Sequence, residues 1–208
     1  MYSNGCPSSC DGHIFGFVRH ELAYRDFHGL DNPLLCSLCR TFGNLWGLSS
    51  REIDDLDLLA KYHDLGKLIV PEHILFKKAR LTEEEWEEIK LHALIGSRMA
   101  RVLPGLEHIA PCIRTHHERW DGGGYPEGVC GEDIPFLSRI LAVVDAYDAM
   151  IAKRPYKTGR TPHEQALSEI RACAGTQFDP RVAGFFVSDD FWSARQEEIL
   201  HPTVEDGA

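Results

Sequence analysis

Downstream of residue 30, apolar positions recur at spacings of three and four, and the two-residue alternation of strands is nearly absent. The run PLLCSLCRTFGNLW, beginning at Pro33, is the first helix-like stretch. Ser49 and Glu52 then form an S-x-x-E capping box, and Ile53, Leu56, Leu59, Ala60 and His63 follow at helical spacing until Gly66, which is predicted to end the run. Thr82 and Glu85 open a helix in the same way, from Glu83 to Leu103, where Pro104-Gly105 stops it. A third helix is predicted over Ala110 to Arg119, with Pro111 tolerated in its first turn. Pro135 to Lys153 carries Leu137, Ile140, Leu141, Val144 and Ile151 on one side. Thr161-Pro162-x-Glu164 combines an N-cap, an N1 proline and an N3 glutamate, with Gly175 as the stop. The pattern predicts an all-α bundle of six or seven helices.

With 208 residues the chain is long enough to bury one good core. The expected organisation is an irregular segment over 1–30, a helical domain over 31–190 and a tail over 191–208. No stretch approaches the length of an apolar membrane span and the start lacks a signal-peptide pattern, so a soluble, cytoplasmic protein is expected. A net charge of −10 argues against broad binding of nucleic acid, and a phosphorylated ligand would need metal ions to supply positive charge. Seven cysteines, an odd number, point to reduced thiols rather than a disulfide framework. Cys6 and Cys10 with Cys36 and Cys39 could form a zinc site, but Cys36 and Cys39 lie in an apolar helical run where small buried side chains are the plainer reading.

The candidate chemistry lies in the histidines, of which there are eleven. His63-Asp64, His92 and His116-His117 fall near the end, or on the apolar side, of predicted helices. One histidine so placed is usually a hydrogen-bonded core residue. Together with Asp145, however, they are six imidazole or carboxylate groups on four helical segments, and a small core holding that many polar groups needs a partner for them. Metal ions supply one. Nitrogen and oxygen donors suit Fe or Mn at least as well as Zn, and Asp64, flanked by histidines, is the natural carboxylate bridge between two ions about 3.5–4 Å apart.

His63-Asp64-Leu65-Gly66-Lys67 resembles the signature of the HD superfamily of metal phosphohydrolases. The segment from His116 to Gly128, HHERWDGGGYPEG, resembles the defining motif of its HD-GYP branch, with Gly124-Tyr125-Pro126 intact. VPEHILFKKARLTEEEW, GEDIPFLSRILAVVDAYDAM, KRPYK and GTQFDP extend the likeness over Gly47 to Phe186. The resemblance implies an HD-domain-like helical bundle with a metal centre in its core, and a phosphodiesterase that opens cyclic di-GMP to linear pGpG and in some members continues to GMP. It implies metal ligation by His63, Asp64, His92, His116, His117 and Asp145, and a catalytic role for Lys67 with Asp64. It implies substrate contacts from Arg154 and Lys157, and from Tyr125, which alternatively is only structural; without the resemblance, Lys67 and Lys157 would read as solvated surface charges. Two divalent ions are expected, Fe or Mn first, with Zn, Ni or Mg as alternatives. The Gly124-Tyr125-Pro126 loop is associated in the family with partner domains, cyclic di-GMP synthases or sensory-domain proteins.

The chain departs from the pattern at one place. Asp31 stands where the family usually has a further histidine ligand, and Phe27 where trinuclear members have a glutamate. Asp31 or His28 is the substitute ligand to be expected, with a binuclear rather than a trinuclear centre. The alternatives to an active cyclic di-GMP hydrolase are a degenerate member that binds a cyclic dinucleotide or a partner protein without turnover, and a hydrolase of another cyclic nucleotide.

Overall fold

A computed structural model describes residues 32–152 and 161–200. Among these residues there are nine α-helices and three short 3₁₀ turns, with no strand. Helix α1 spans Pro33–Trp46, α2 Ser50–Tyr62, α3 Glu72–Leu75, α4 Glu83–Ala100, α5 Ala110–Thr115, α6 Phe136–Ile151, α7 His163–Ala172, α8 Pro180–Phe186 and α9 Asp189–Leu200. The all-α expectation holds, and the count exceeds it because α3, α8 and α9 carry no recognisable repeat of apolar positions.

The helix starts follow local chemistry. Asn32 accepts from the Leu35 amide ahead of Pro33, and Ser49 with Glu52 and Thr82 with Glu85 both form the reciprocal capping boxes. Helix α1 ends at Gly47, whose φ of +87° lets its amide reach the Gly43 and Asn44 carbonyls. Other boundaries differ from the sequence reading. Helix α5 stops at Thr115 rather than Arg119, because the Glu118 amide turns back to the Thr115 oxygen. Helix α4 ends at Ala100, three residues before Leu103, and α6 ends at Ile151. Helix α7 starts at His163 with Pro162 as its cap residue and no side-chain cap, and it ends at Ala172, before Gly175. Gly66 does not end α2, which stops at Tyr62; it lies inside a 3₁₀ turn, Leu65–Ile69.

Helix α6 is the central element, packed on α1, α2, α7 and α8, and α4 packs on both α5 and the Leu65–Ile69 turn. The core joins Leu35, Leu38 and Phe42 of α1, Leu56 and Leu59 of α2, Ile140, Leu141 and Val144 of α6, and Phe186. Each such side chain contributes about 1.5–3 kcal/mol by leaving water. Phe191 of α9 is fully buried against Phe186, at a ring distance of 4.9 Å, so the core continues past residue 190, where a tail was expected. Cys39 is buried in α1 and burial raises its thiol pKa, which makes it a small apolar filler and not a thiolate ligand. Cys6 and Cys10 lie outside the described residues, as do residues 1–30 and the segment from His201 to Ala208.

One backbone contact places the site. A side chain at Gly66 would put its Cβ 2.6 Å from the Gly96 nitrogen and closer still to the His92 carbonyl oxygen, where real Cβ contacts stay above 3.0 Å. Only glycine lets the turn after α2 lie directly on α4, and this brings Asp64 beside His92.

Candidate metal centre

Three histidines reach the centre by the same device. His63 caps the C-terminus of α2, His92 lies in the middle of α4 and His116 caps α5, and all three are buried. In each, Nδ1 meets the carbonyl oxygen three residues back in its own helix: Ala60 at 3.0 Å, Ile89 at 2.7 Å and Ile113 at 2.6 Å. A carbonyl can only accept, so Nδ1 carries the proton, and Nε2 of each ring is left as a lone pair aimed inward. This tautomer is the one a metal ligand requires.

The inward-facing atoms are mismatched as they stand. His92 Nε2 lies 3.3 Å from His116 Nε2, two acceptors with no proton between them. Asp64 Oδ1 lies 3.4 Å from His92 Nε2 and 3.9 Å from His116 Nε2, and it is buried without a hydrogen-bond partner. Asp64, His92, His116 and His117 each present a ligand atom, all within 4.8 Å of one another. A positive ion among them converts four mutually repelling lone pairs into a coordination shell, so the donor set fits a metal ion.

The other oxygen of Asp64 faces a second group. Oδ2 accepts from Lys67 Nζ at 2.5 Å and lies 3.5 Å from His63 Nε2, which is itself 4.0 Å from Asp145 Oδ1 on α6. One carboxylate therefore has an oxygen toward His92, His116 and His117 and the other toward His63 and Asp145.

The protonation states suit cation binding. Burial opposes charge on Asp64, but the Lys67 ammonium beside it, the leading favourable neighbour, prevails, and the carboxyl is held well below the usual range. Burial lowers the pKa of His92, of His116 strongly, and of His117 to about 3, so these rings are neutral at neutral pH. Burial raises the pKa of Asp145, and Asp64 adds to this, although His63 pulls the other way.

The glycine-rich loop supports the centre from one side. A Cβ on Gly124 would come 2.5 Å from the Glu118 Cα and 2.6 Å from the His117 oxygen, so the loop lies directly on the paired histidines. Buried Glu118, which the sequence reading passed over, accepts from the Glu127 and Gly128 amides, and Arg114 pairs with Glu127 at 2.7 Å. The only signal in the sequence was its place directly after two histidines. Tyr125 turns inward, its ring 4.9 Å from that of His117, and burial followed by Asp64 and Asp145 raises its phenol above the ordinary value. A cleft of about 250 Å³ opens over Asp64, Lys67, His92, His117 and Asp145, with Tyr125 and Trp86 on its wall. Trp86 was also not singled out by the sequence reading.

The structure thus brings together His63, Asp64, His92, His116, His117, Asp145, Lys67 and Tyr125. Arg154, Lys157, Asp31 and His28 lie outside the described residues.

A family model described as HD domain matches residues 18–182. Among curated proteins, the chain is 37% identical over 163 residues to a cyclic di-GMP phosphodiesterase of Thermotoga maritima, a match covering 74% of the chain and 44% of that protein. It is 41% identical over 140 residues to the cyclic di-GMP phosphodiesterase response regulator RpfG of Xanthomonas campestris, covering 65% and 36%. It is 35% identical over 164 residues to a 3'3'-cGAMP-specific phosphodiesterase of Vibrio cholerae, covering 76% and 31%. The chain therefore spans less than half the length of these relatives. Two solved structures share the fold: a cyclic GMP-AMP specific phosphodiesterase of Vibrio cholerae, at TM-score 0.61 and 23% identity over 82% of this chain and 45% of that one, and an HDG"Y"P protein of Bdellovibrio bacteriovorus, at TM-score 0.59 and 18% identity over 81% and 52%.

Proposed function

This chain belongs to the HD domain family, and from that premise we propose that it is a member of the HD-GYP branch that hydrolyses a cyclic dinucleotide, cyclic di-GMP first, to linear pGpG, with further cleavage to GMP as the alternative end point. The observation that carries the reading is the unpartnered Asp64 Oδ1, buried among imidazole nitrogens whose tautomers are already fixed for ligation. The relatives named as cyclic di-GMP and 3'3'-cGAMP phosphodiesterases support the substrate class, and the second of these names makes 3'3'-cGAMP the alternative substrate.

His92, His116 and His117 with Asp64 would hold one ion, and His63 and Asp145 with the same Asp64 a second; Fe or Mn is the reading for both, with Zn, Ni and Mg as alternatives. Bound there, the ions neutralise phosphoryl charge and activate water. Lys67, tied to Asp64 at 2.5 Å and still partly exposed to the cleft, sets an ammonium beside the position of the phosphate. The neutral Tyr125 hydroxyl is a hydrogen-bond donor at the same cleft. We assign Arg154 and Lys157 to a second phosphate, on their match to the family's KRPYK segment, and Asp31 or His28 to the position of the family's missing histidine. We place contact with a cyclic di-GMP synthase or a sensory domain on the outer side of the Gly124-Tyr125-Pro126 loop, which Glu118 holds from within. Among the described residues no helix is long and apolar enough to cross a membrane.

Asp64→Ala tests the assignment, because a carboxylate shared by both groups serves every ion present. It should abolish turnover and strip bound metal, and unchanged metal content with unchanged rate would overturn the reading.

A further inference from the structure

The cleft over the metal centre has two unlike walls. One is the His/Asp cluster with Lys67, and the other is Trp86, Ile89 and Tyr125. Trp86 stands on α4, six residues before His92, and its ring meets that of Tyr125 at 6.1 Å and 80°. Tyr125 meets His117 at 4.9 Å, so three rings lead from the centre to the rim. The Tyr125 ring is already engaged by His117 and by Lys90, whose Nζ lies 5.8 Å over it. Trp86 is 44% exposed. At the rim of a polar cleft, this half-exposed aromatic has a face free to take a flat partner.

The size of the cleft says which partner. About 250 Å³ is below the ~300–1,000 Å³ of pockets that enclose a drug-sized ligand, and a cyclic dinucleotide is larger still. With one phosphate at the His/Asp cluster, the attached base extends toward the Trp86 and Tyr125 wall.

We infer that Trp86 is the base-stacking residue of this cleft, its indole taking the face of a purine of the cyclic dinucleotide whose phosphate lies at the His/Asp cluster. The inference rests on the hydrolase reading above. Because every base presents a π-face, this contact serves guanine and adenine alike, and it adds affinity without choosing between them.

The test is steady-state kinetics of the metal-loaded chain on cyclic di-GMP and 3'3'-cGAMP, comparing the wild type with Trp86→Ala, Trp86→Phe and Leu91→Ala, the last a similarly exposed residue of α4 that does not line the cleft. Loss of one stacked base should raise KM roughly 5- to 150-fold in Trp86→Ala, on both substrates. Trp86→Phe should stay near wild type, kcat should stay within about twofold in both, and Leu91→Ala should change nothing, since a platform acts on binding alone. An unchanged KM in Trp86→Ala overturns the inference, as does a fall in kcat accompanied by loss of metal, which would make the indole structural support. If the wild type turns over neither substrate, the hydrolase reading fails, and fluorescence titration with cyclic di-GMP decides the platform separately. Saturable quenching that disappears in Trp86→Ala supports it, and quenching that persists, or none in the wild type, overturns it.

Discussion

Gly66→Ala separates the scaffold from the ligands, because it alters no side chain that touches the centre. The added methyl would sit 2.6 Å from the Gly96 nitrogen, and ordinary contact begins at 3.4 Å, so the Leu65–Ile69 turn and α4 must part by about 0.8 Å or more. The obstructing atoms, the His92 carbonyl carbon and oxygen and the Gly96 nitrogen, all belong to the backbone of α4, so no rotamer change relieves the clash. Overpacking of this kind costs about 1–3 kcal/mol. With a urea m-value of about 2 kcal/mol/M, the unfolding midpoint of the metal-free protein should fall by roughly 0.5–1.5 M. Asp64 precedes the turn and His92 stands on α4, so the same displacement separates two proposed ligands by several times the ~0.2 Å that a metal site tolerates. Metal affinity should drop at least about tenfold. Gly184→Ala is the control: it is helical with nothing within 4 Å of the added carbon, and it should stabilise by about 0.5–1 kcal/mol. A folded Gly66→Ala protein with wild-type metal affinity would refute the claim that this contact sets the spacing of the centre.

Two further outcomes follow from the site. Lys67→Ala should keep the metals and lower kcat roughly 10²- to 10³-fold, checked by metal analysis beside turnover, since its ammonium stabilises charge rather than ligating; loss of metal would make Lys67 a structural partner of Asp64. The metal-free protein should lose stability as pH falls from 7.5 toward 5, because His92, His116 and His117 have lowered pKa values and bind fewer protons folded than unfolded below about 6.5. The slope approaches about 1.4 kcal/mol per pH unit for each such histidine, and a flat urea midpoint across that window would contradict the burial of neutral rings.

The sequence shows the centre's residues more readily than their arrangement. The capping residues Ser49 and Thr82 act on their own next few amides, so α2 and α4 could be read locally. Helix α3 is four residues long and α9 has its large apolar side chains adjacent, at Phe191 and Trp192, so neither offers a repeating stripe. Helix α5 was overextended because His116 and His117 continue an apolar face, while the turn at Glu118 depends on the loop that returns to it. Gly66 read as a helix stop, since a glycine's contact with a distant helix leaves no trace in its neighbours. The ligand types were legible from His63-Asp64 and His116-His117. The convergence of the three Nε2 atoms, and the unpartnered oxygen of Asp64 among them, exist only once the helices are packed.

The most direct measurement is the metal content of the chain, purified without chelator, taken together with its turnover of cyclic di-GMP before chelation, after it, and after readdition of Fe or Mn. Two ions per chain are expected, with turnover that disappears with them and returns on reloading, and no turnover restored in Asp64→Ala. Turnover that persists in the metal-free chain, or a folded chain that binds no metal at all, would contradict it.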